Sequence, residues 1–272
     1  MYSNSNIHDK VVPFESKSIP KVLSLIIHIY NNQKLLNLQI NCWKNWGLIP
    51  GLELIFLDDG SNPELDLSDI PRWVRKIRII DDIPWNQPGA KNLAATLATG
   101  SWLLFLDADQ LLDRGKILQL FSQLPNLNEN KIYRFKRFCA TSHRELIVHQ
   151  NCQLIASNTF RNFGGYDEDF AGNYGHEDAY FERLWRFKGG EIVTLDQPWL
   201  IDYSNLETKG LSRNGRINEL LRRRKMRYWH LNKTFFGRFM LLNPLIFQLL
   251  LKFNVIADGR TTNKIRFNWK EV

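Results

Sequence analysis

Two stretches, "LELIFLDDGS" (Leu52–Ser61) and "SWLLFLDAD" (Ser101–Asp109), run apolar for the length of a strand and then stop on acids. Such runs read as buried strands. "KVLSLIIHI" (Lys21–Ile29) and "VRKIRII" (Val74–Ile80) are β-rich as well. Between strands, Leu36, Ile40 and Trp43 recur at helical spacing. "PGAKNLAATLATG" reads as a helix, with Pro88 and Gly89 at its start and Gly100 beyond its end. The resulting β-α-β-β-α-β order predicts an α/β fold whose mainly parallel sheet is covered by helices on both faces. Such sheets bind ligands at the carboxyl ends of their strands. Both acidic clusters fall at strand ends.

After Asp109 the pattern loosens. "KIYRFKRF" and "RELIVHQNCQLIAS" read as antiparallel strands, followed by a glycine-rich stretch and a helix from about Glu177. The chain of 272 residues suits one large domain or a domain with an appendage. We divide it into a loosely tethered tail (1–20), an α/β domain (21–203) and a basic loop with a helical C-terminal extension (204–272). Cys42, Cys139 and Cys152 form no CxxC pair, and "MYSNSNIHDKVVPFESKSIP" lacks the apolar core of an export signal. Both point to a cytoplasmic placement, with peripheral contact at a membrane left open.

The net charge of +8 is densest at "RRRKMR", Arg222–Arg227. It suits an anionic partner such as a nucleotide, an acidic lipid surface or nucleic acid, or else a solvated helix face. "FMLLNPLIFQLLLKFNVIA" (Phe239–Ala257) is the most apolar segment, but Asn243, Pro244, Gln248 and Lys252 interrupt it. A packed terminal helix is expected, and an interfacial helix beside the basic run is the alternative.

In Asp107-Ala108-Asp109, carboxylates at i and i+2 point to one side and can share one hard cation, although a DxD also serves as ordinary turn chemistry. Within Asp58-Asp59-Gly60-Ser61, Asp58 and Asp59 can accept hydrogen bonds from a nucleobase imide or ribose hydroxyls. The cluster reads equally as a turn. Glu177 and Asp178 open a helix, where acids are favoured as caps and where a catalytic base can be held ionised.

Four stretches in this order, "LSLIIHIYNN", "LIFLDDGS", "PGAKNLAATLATGSWLLFLDAD" and "FRNFGGYDEDFAGNYGHEDAYFERLWRFKGG", resemble the GT-A fold glycosyltransferases of the inverting family 2. The last stretch also resembles the galactosyltransferase-type C-terminal half, with Gly-x-Glu-Asp opening a helix. The resemblance spans roughly Lys21 to Tyr203 and implies a Rossmann-like GT-A sheet flanked by helices. It further implies a nucleotide-sugar donor, a saccharide or glycoconjugate acceptor and a divalent cation, Mn²⁺ or Mg²⁺.

By the same resemblance, Asp59 contacts the uracil or ribose, flanked by His28 and Tyr30. Lys91 stands where the family usually carries arginine, which keeps the charge but loses the planar fork. Asp107 and Asp109 match the metal-holding DxD, with Asp109 the more direct ligand. Asp178 matches the catalytic base, and Glu177 orients the acceptor. Many relatives carry a histidine after a proline; here Pro198 is followed by "WLIDYSN", and Asp202 is the candidate third metal ligand. Trp85, Tyr166 and Tyr174 offer flat faces to an acceptor sugar. Gly165 leaves it room, and Gly172 and Gly175 are expected to do the same. "ETKGLSRNGR" reads as a lid or a plain exposed loop. Two rivals remain. A nucleotidyltransferase calls for a glycine-rich basic loop that "HIYNNQ" lacks. A non-catalytic glycan- or nucleic-acid-binding protein has no need of both acidic pairs, so nucleic acid is not the expected partner.

Overall fold

The computed structural model describes residues 22–204, 212–259 and 265–272. Four parallel strands form its centre: β1 (Leu23–Ile29), β2 (Leu52–Asp59), β3 (Arg75–Ile79) and β4 (Trp102–Leu106), in the spatial order β3-β2-β1-β4. The sheet continues beyond β4 through β5 (Gln110–Leu111), β6 (Lys131–Cys139), β7 (Glu145–Leu146), β8 (Gln153–Ala156) and β9 (Glu191–Asp202). There β8 runs antiparallel between β4 and β6, β9 pairs parallel with β6, and β5 closes the edge. Helices α1 (Gln33–Trp46), α2 (Gln87–Leu97), α3 (Arg114–Gln123), α4 (Ser157–Phe163) and α5 (Glu177–Phe187) flank it.

Strand alternation explains the unbroken apolar runs. Leu104 and Leu106 pack with α1 and α3, whereas Leu103 and Phe105 pack with α2, α4 and α5. The same split divides Leu54 and Phe56 from Ile55 and Leu57. A strand with both faces buried can afford no polar position until it ends. Helix α2 lies close on its neighbours because Gly89 faces the Asn86 side chain and the Phe267 ring; an added Cβ would stand 2.3 and 2.7 Å from them.

The C-terminal region departs from expectation in two ways. Helix α6 (Arg216–Lys233) leads into α7 (Phe235–Leu242) and α8 (Pro244–Lys252), a pair bent by 90° at Asn243–Pro244. In place of the expected packed terminal helix stands this bent pair at the surface, in which α8 buries no residue fully and α7 only Gly237. Nor is the whole of 204–272 an appendage. Strand β10 (Trp269–Glu271) returns to pair antiparallel with β3, and Phe267 joins the α2-side core. The tail 1–20 and part of the expected lid, 207–211, lie outside the described residues.

Candidate active site

Strand parity decides which acids reach the cleft. Asp58 follows Leu54 and Phe56 onto the α1 face, where it is fully buried and accepts from Arg78 Nε (2.9 Å) and Ser61 N (3.0 Å). It is therefore a structural ion pair and corrects the expectation that it contacts nucleotide. Asp59 follows Ile55 and Leu57 onto the α2 face, lines the cleft and accepts from Asn86 Nδ2 at 3.0 Å. Burial, reinforced by the nearby Asp58 and Asp82, outweighs the Asn86 hydrogen bond and pushes its carboxyl well up.

The cleft of about 410 Å³ runs across the ends of β1, β2 and β4, with His28, Tyr30, Asp59, Asp107 and Asp109 in its wall. His28 titrates at about 4 because burial and the Lys91 ammonium disfavour its cation. The Tyr30 hydroxyl donates to Asp82 (2.7 Å), and burial with that contact pushes its pKa up to about 12. Lys91 is buried under the floor. Its Nζ donates to Asn151 O (3.3 Å) and lies 5.1 Å from the Tyr166 ring centroid. Its charge therefore reaches the site through the field of the floor.

Asp107 and Asp109 both line the cleft but differ in electrostatics. Burial resists ionisation of Asp107, yet the His149 imidazole at 3.0 Å, with Lys91, holds its carboxyl well below the usual range. Asp109 lacks such a cation; burial and the Asp107 charge push it up to about 6. Ligand atoms of Asp107, His149 and Cys152 lie within 4.8 Å of one another, a group able to hold a metal. Burial and the Asp107 charge raise the Cys152 thiol well above its ordinary value, so the donors offered are carboxylate and imidazole. Oxygen donors with one imidazole suit Mg²⁺ or Mn²⁺, and the buried, partnerless Asn151 Oδ1 adds a polar atom to the wall.

Asp202 is engaged by neighbouring protein groups. It is buried, ion-paired with Arg137, and accepts from Gln110 Nε2 and Ser204 N. These contacts engage its oxygens, whereas His149 is the imidazole that stands against Asp107.

A second cavity of about 360 Å³ adjoins the first, sharing Trp85, Gln87, His149, Asn151 and Tyr174 with it and ending on Glu177 and Asp178. His176, in a left-handed conformation (φ +71°), caps α5 and pairs with Glu219 at 3.3 Å. Glu177 is buried, and desolvation together with the Asp178 charge pushes it up to about 7. Asp178 is half-buried, and its Oδ1 accepts from Ala179 N at 2.6 Å. The loop before them is tied to α6 by the buried Asn218. Its Nδ2 lies 2.9, 2.8 and 2.8 Å from the carbonyl oxygens of Phe170, Asn173 and Gly175.

Trp85 and Tyr174 meet edge to face at 4.6 Å in the wall common to both cavities. Tyr166 does not join them. It is fully buried, 4.6 Å from the Phe181 ring in a stacked pair and hydrogen-bonded to Gln153, so its expected contact with acceptor is corrected to core packing. Gly165 is buried beside it in a left-handed turn (φ +69°) that ends α4, and offers an acceptor no room. Gly172 and Gly175 adopt φ of +92° and +74° with open space where a Cβ would stand, so backbone conformation is what calls for glycine there. His149, Asn218 and Gln87 escape a reading of the sequence. Only the position of "HQNC" directly before a strand that pairs with β4 could have drawn attention to the first.

The sequence model described as Glycosyl transferase family 2 matches residues 24–172, more than half of the chain. Comparison with curated proteins gave no match. Among solved structures, mannosyltransferase PcManGT from Pyrobaculum calidifontis, in complex with GDP-Man and Mn²⁺, superposes with a TM-score of 0.51 at 16% identity. The match covers 78% of this chain and 63% of that one, so the present chain spans about three-fifths of its length. S. aureus TarS 1–349 in complex with UDP-GlcNAc gives a TM-score of 0.55 at 12% identity, covering 85% and 73%. At such identities the likeness shows the GT-A fold.

Proposed function

The chain belongs to glycosyl transferase family 2, and from that premise we propose that it moves a hexose or N-acetylhexosamine from a nucleotide sugar, UDP-linked by first choice, to a hydroxyl of a saccharide or glycoconjugate, with inversion. The observation that carries this reading is the continuity of the two cavities. The DxD carboxylates line one, Glu177 and Asp178 line the other, and five residues belong to both walls. A donor diphosphate at the strand ends thus leaves its anomeric carbon facing an acceptor beside Asp178. The nucleotide sugars named in the two similar structures support the donor class.

Each group has one task. Asp59, with the neutral His28 and Tyr30, forms the nucleoside end of the cleft. Asp107, Asp109 and His149 would hold the divalent cation, which when bound neutralises charge growing on the leaving diphosphate. The Asp178 carboxylate, at the α5 N-terminus with Ala179 N–H donating to it, accepts the acceptor hydroxyl proton as the oxygen attacks the anomeric carbon. The bond from that carbon to the diphosphate oxygen breaks on the opposite side. General base catalysis of this kind contributes typically about 10²–10⁴-fold. Trp85 and Tyr174 supply the apolar wall against which a sugar ring rests. A cytoplasmic setting belongs to the same proposal, supported by three free cysteines.

The test is release of nucleoside diphosphate across a panel of nucleotide sugars, with and without Mn²⁺. Release from one donor, dependent on metal and lost in Asp109→Ala, is the expected result. Asp178→Asn should retain donor binding and lose transfer. Absence of turnover or binding for every donor in every metal would refute the proposal and favour a binding protein on this scaffold.

A further inference from the structure

Helices α7 and α8 present their apolar side chains outward. Phe235 is 93% exposed, Leu242 81%, Leu245 78% and Phe253 70%. Phe235, Phe239 and Leu242 recur at i, i+4 and i+7, and Leu245, Leu249 and Phe253 at i, i+4 and i+8. Each set forms one exposed stripe. The other side of α8 is held to α6: Phe247 meets Tyr228, and the Arg227 and Arg224 side chains donate to Val255 O and Asn254 Oδ1 just beyond it. The hairpin is therefore a built element with one apolar side uncovered among the described residues. A contiguous patch of this kind marks an interaction site.

Charge identifies the occupant. From Leu220 to Ala257 the sequence carries eight Lys or Arg and no Asp or Glu. Three of the eight are paired with acids: Lys225 binds Asp167 (2.6 Å) and Asp169 (2.7 Å), and Arg222 and Arg223 bind Glu219. Arg224, Arg227, Lys233, Arg238 and Lys252 have no carboxylate partner among the described residues; Lys233 and Arg238 donate only to the carbonyls of Phe187 and Asn232. A protein partner with a mixed surface, or a second copy of this chain, does not call for cations ringing an apolar stripe with no acid between them. An anionic bilayer does, since its headgroups take the cations while its acyl boundary takes the aromatic and leucine side chains. Among the described residues no single helix is long and apolar enough to cross a membrane; α7 and α8 reach that length and apolarity only together, and they are bent by 90°.

We propose that the α6–α8 region is an interfacial platform, seating the protein on an anionic lipid surface with the α7–α8 apolar stripe at the acyl boundary and the cations of the hairpin and the α6 end, Lys233, Arg238 and Lys252, at the phosphates. The inference is independent of the transferase reading. Its test is co-sedimentation of the full chain with vesicles of phosphatidylcholine and phosphatidylglycerol in equal parts, against vesicles of phosphatidylcholine alone. The full chain should pellet with the anionic vesicles and much less with the neutral ones. Phe235→Ser, Leu245→Ser and Phe253→Ser together should weaken that partition, by on the order of tenfold per side chain, with an unchanged circular dichroism melt. Lys252→Glu and Arg238→Glu should each weaken it roughly fivefold, on anionic vesicles only. Absence of vesicle binding, or equal binding by the serine variant, would overturn the proposal. So would lipid-free self-association that the serine variant abolishes, which would make a second copy the occupant.

Discussion

Replacing Asn218 isolates the hydrogen bonding that holds the loop before Asp178. Its amide nitrogen faces three carbonyl oxygens at 2.8–2.9 Å, two of them, Asn173 and Gly175, within the loop that leads into α5. The residue is fully buried, so water cannot take over. In Asn218→Ala the two N–H donors are lost at about 1 kcal/mol each, and a carbonyl left dry adds about 1 more, giving roughly 3 kcal/mol. For a chain of this size that lowers Tm by about 6–12 °C. Asn218→Asp discriminates the cause, because it keeps the volume while turning the donor into an anion against three oxygens. At pH 7 it should be less stable than the alanine variant, and it should recover part of the difference at acid pH as the carboxyl protonates and donates. Both variants should lose acceptor transfer more than donor hydrolysis, since the donor cavity rests on the strand ends. The assay is thermal denaturation by circular dichroism at two pH values, with product release measured in parallel. An Asn218→Asp protein as stable as wild type would refute the hydrogen-bond argument and leave packing as the only role of the side chain.

Four further outcomes follow from the site. Divalent metal affinity, read by calorimetry, should fall as pH drops, first as His149, held above its ordinary value despite burial by its contact with Asp107, takes up a proton, and more steeply below about pH 6. The cation needs ionised Asp109, whose pKa is pushed up to about 6, whereas Asp107 stays ionised; each unit below should cost up to about tenfold. Asp58→Ala should destabilise by about 1.5–3 kcal/mol in urea titration, because buried Arg78 loses one of its two carboxylate partners and keeps Glu64 and Leu65 O. Asp59→Asn should leave stability unchanged or raised, because burial disfavours its charge, yet weaken donor binding in the same samples. His149→Ala should weaken metal binding more than Arg137→Ala does. The first removes the Asp107 partner, the second only that of Asp202.

The parallel core and the acids at its rim were legible because a strand buried on both faces tolerates polarity only at its end. Which acid of a pair faces the ligand was not legible. With apolar residues on both faces, alternation gives no label, and only the helices that cover each face separate Asp58 from Asp59. Tyr166 misled for a related reason. Two glycines beside an aromatic suggest an open acceptor loop, whereas the turn they permit folds the ring inward onto Phe181. His149 came from a stretch with no period at all, placed by strand pairing far along the chain. The apolar segment beyond Phe235 has helical spacing, but that spacing serves a packed helix and an exposed one equally well.

The basic run shows why charge density alone could not be assigned to one partner. Asn218, Arg222, Lys225 and Met226 are the buried positions of α6, at i, i+4, i+7 and i+8, so the inward stripe of this helix is largely polar. Lys225 is fully buried against Asp167 and Asp169, immediately after the Gly-Gly turn, and Asn218 clasps the loop that follows. Arg224 and Arg227 lie on other faces of the same helix and pin the end of α8. One run of cations thus serves two structures interleaved at the helical period: a polar clamp under the candidate base, and the frame of an exposed apolar hairpin. Charge reversal should separate them. At Lys225 it places like charges together in a buried site and destabilises the fold, whereas at Lys252 it leaves the fold intact and changes only what the hairpin binds.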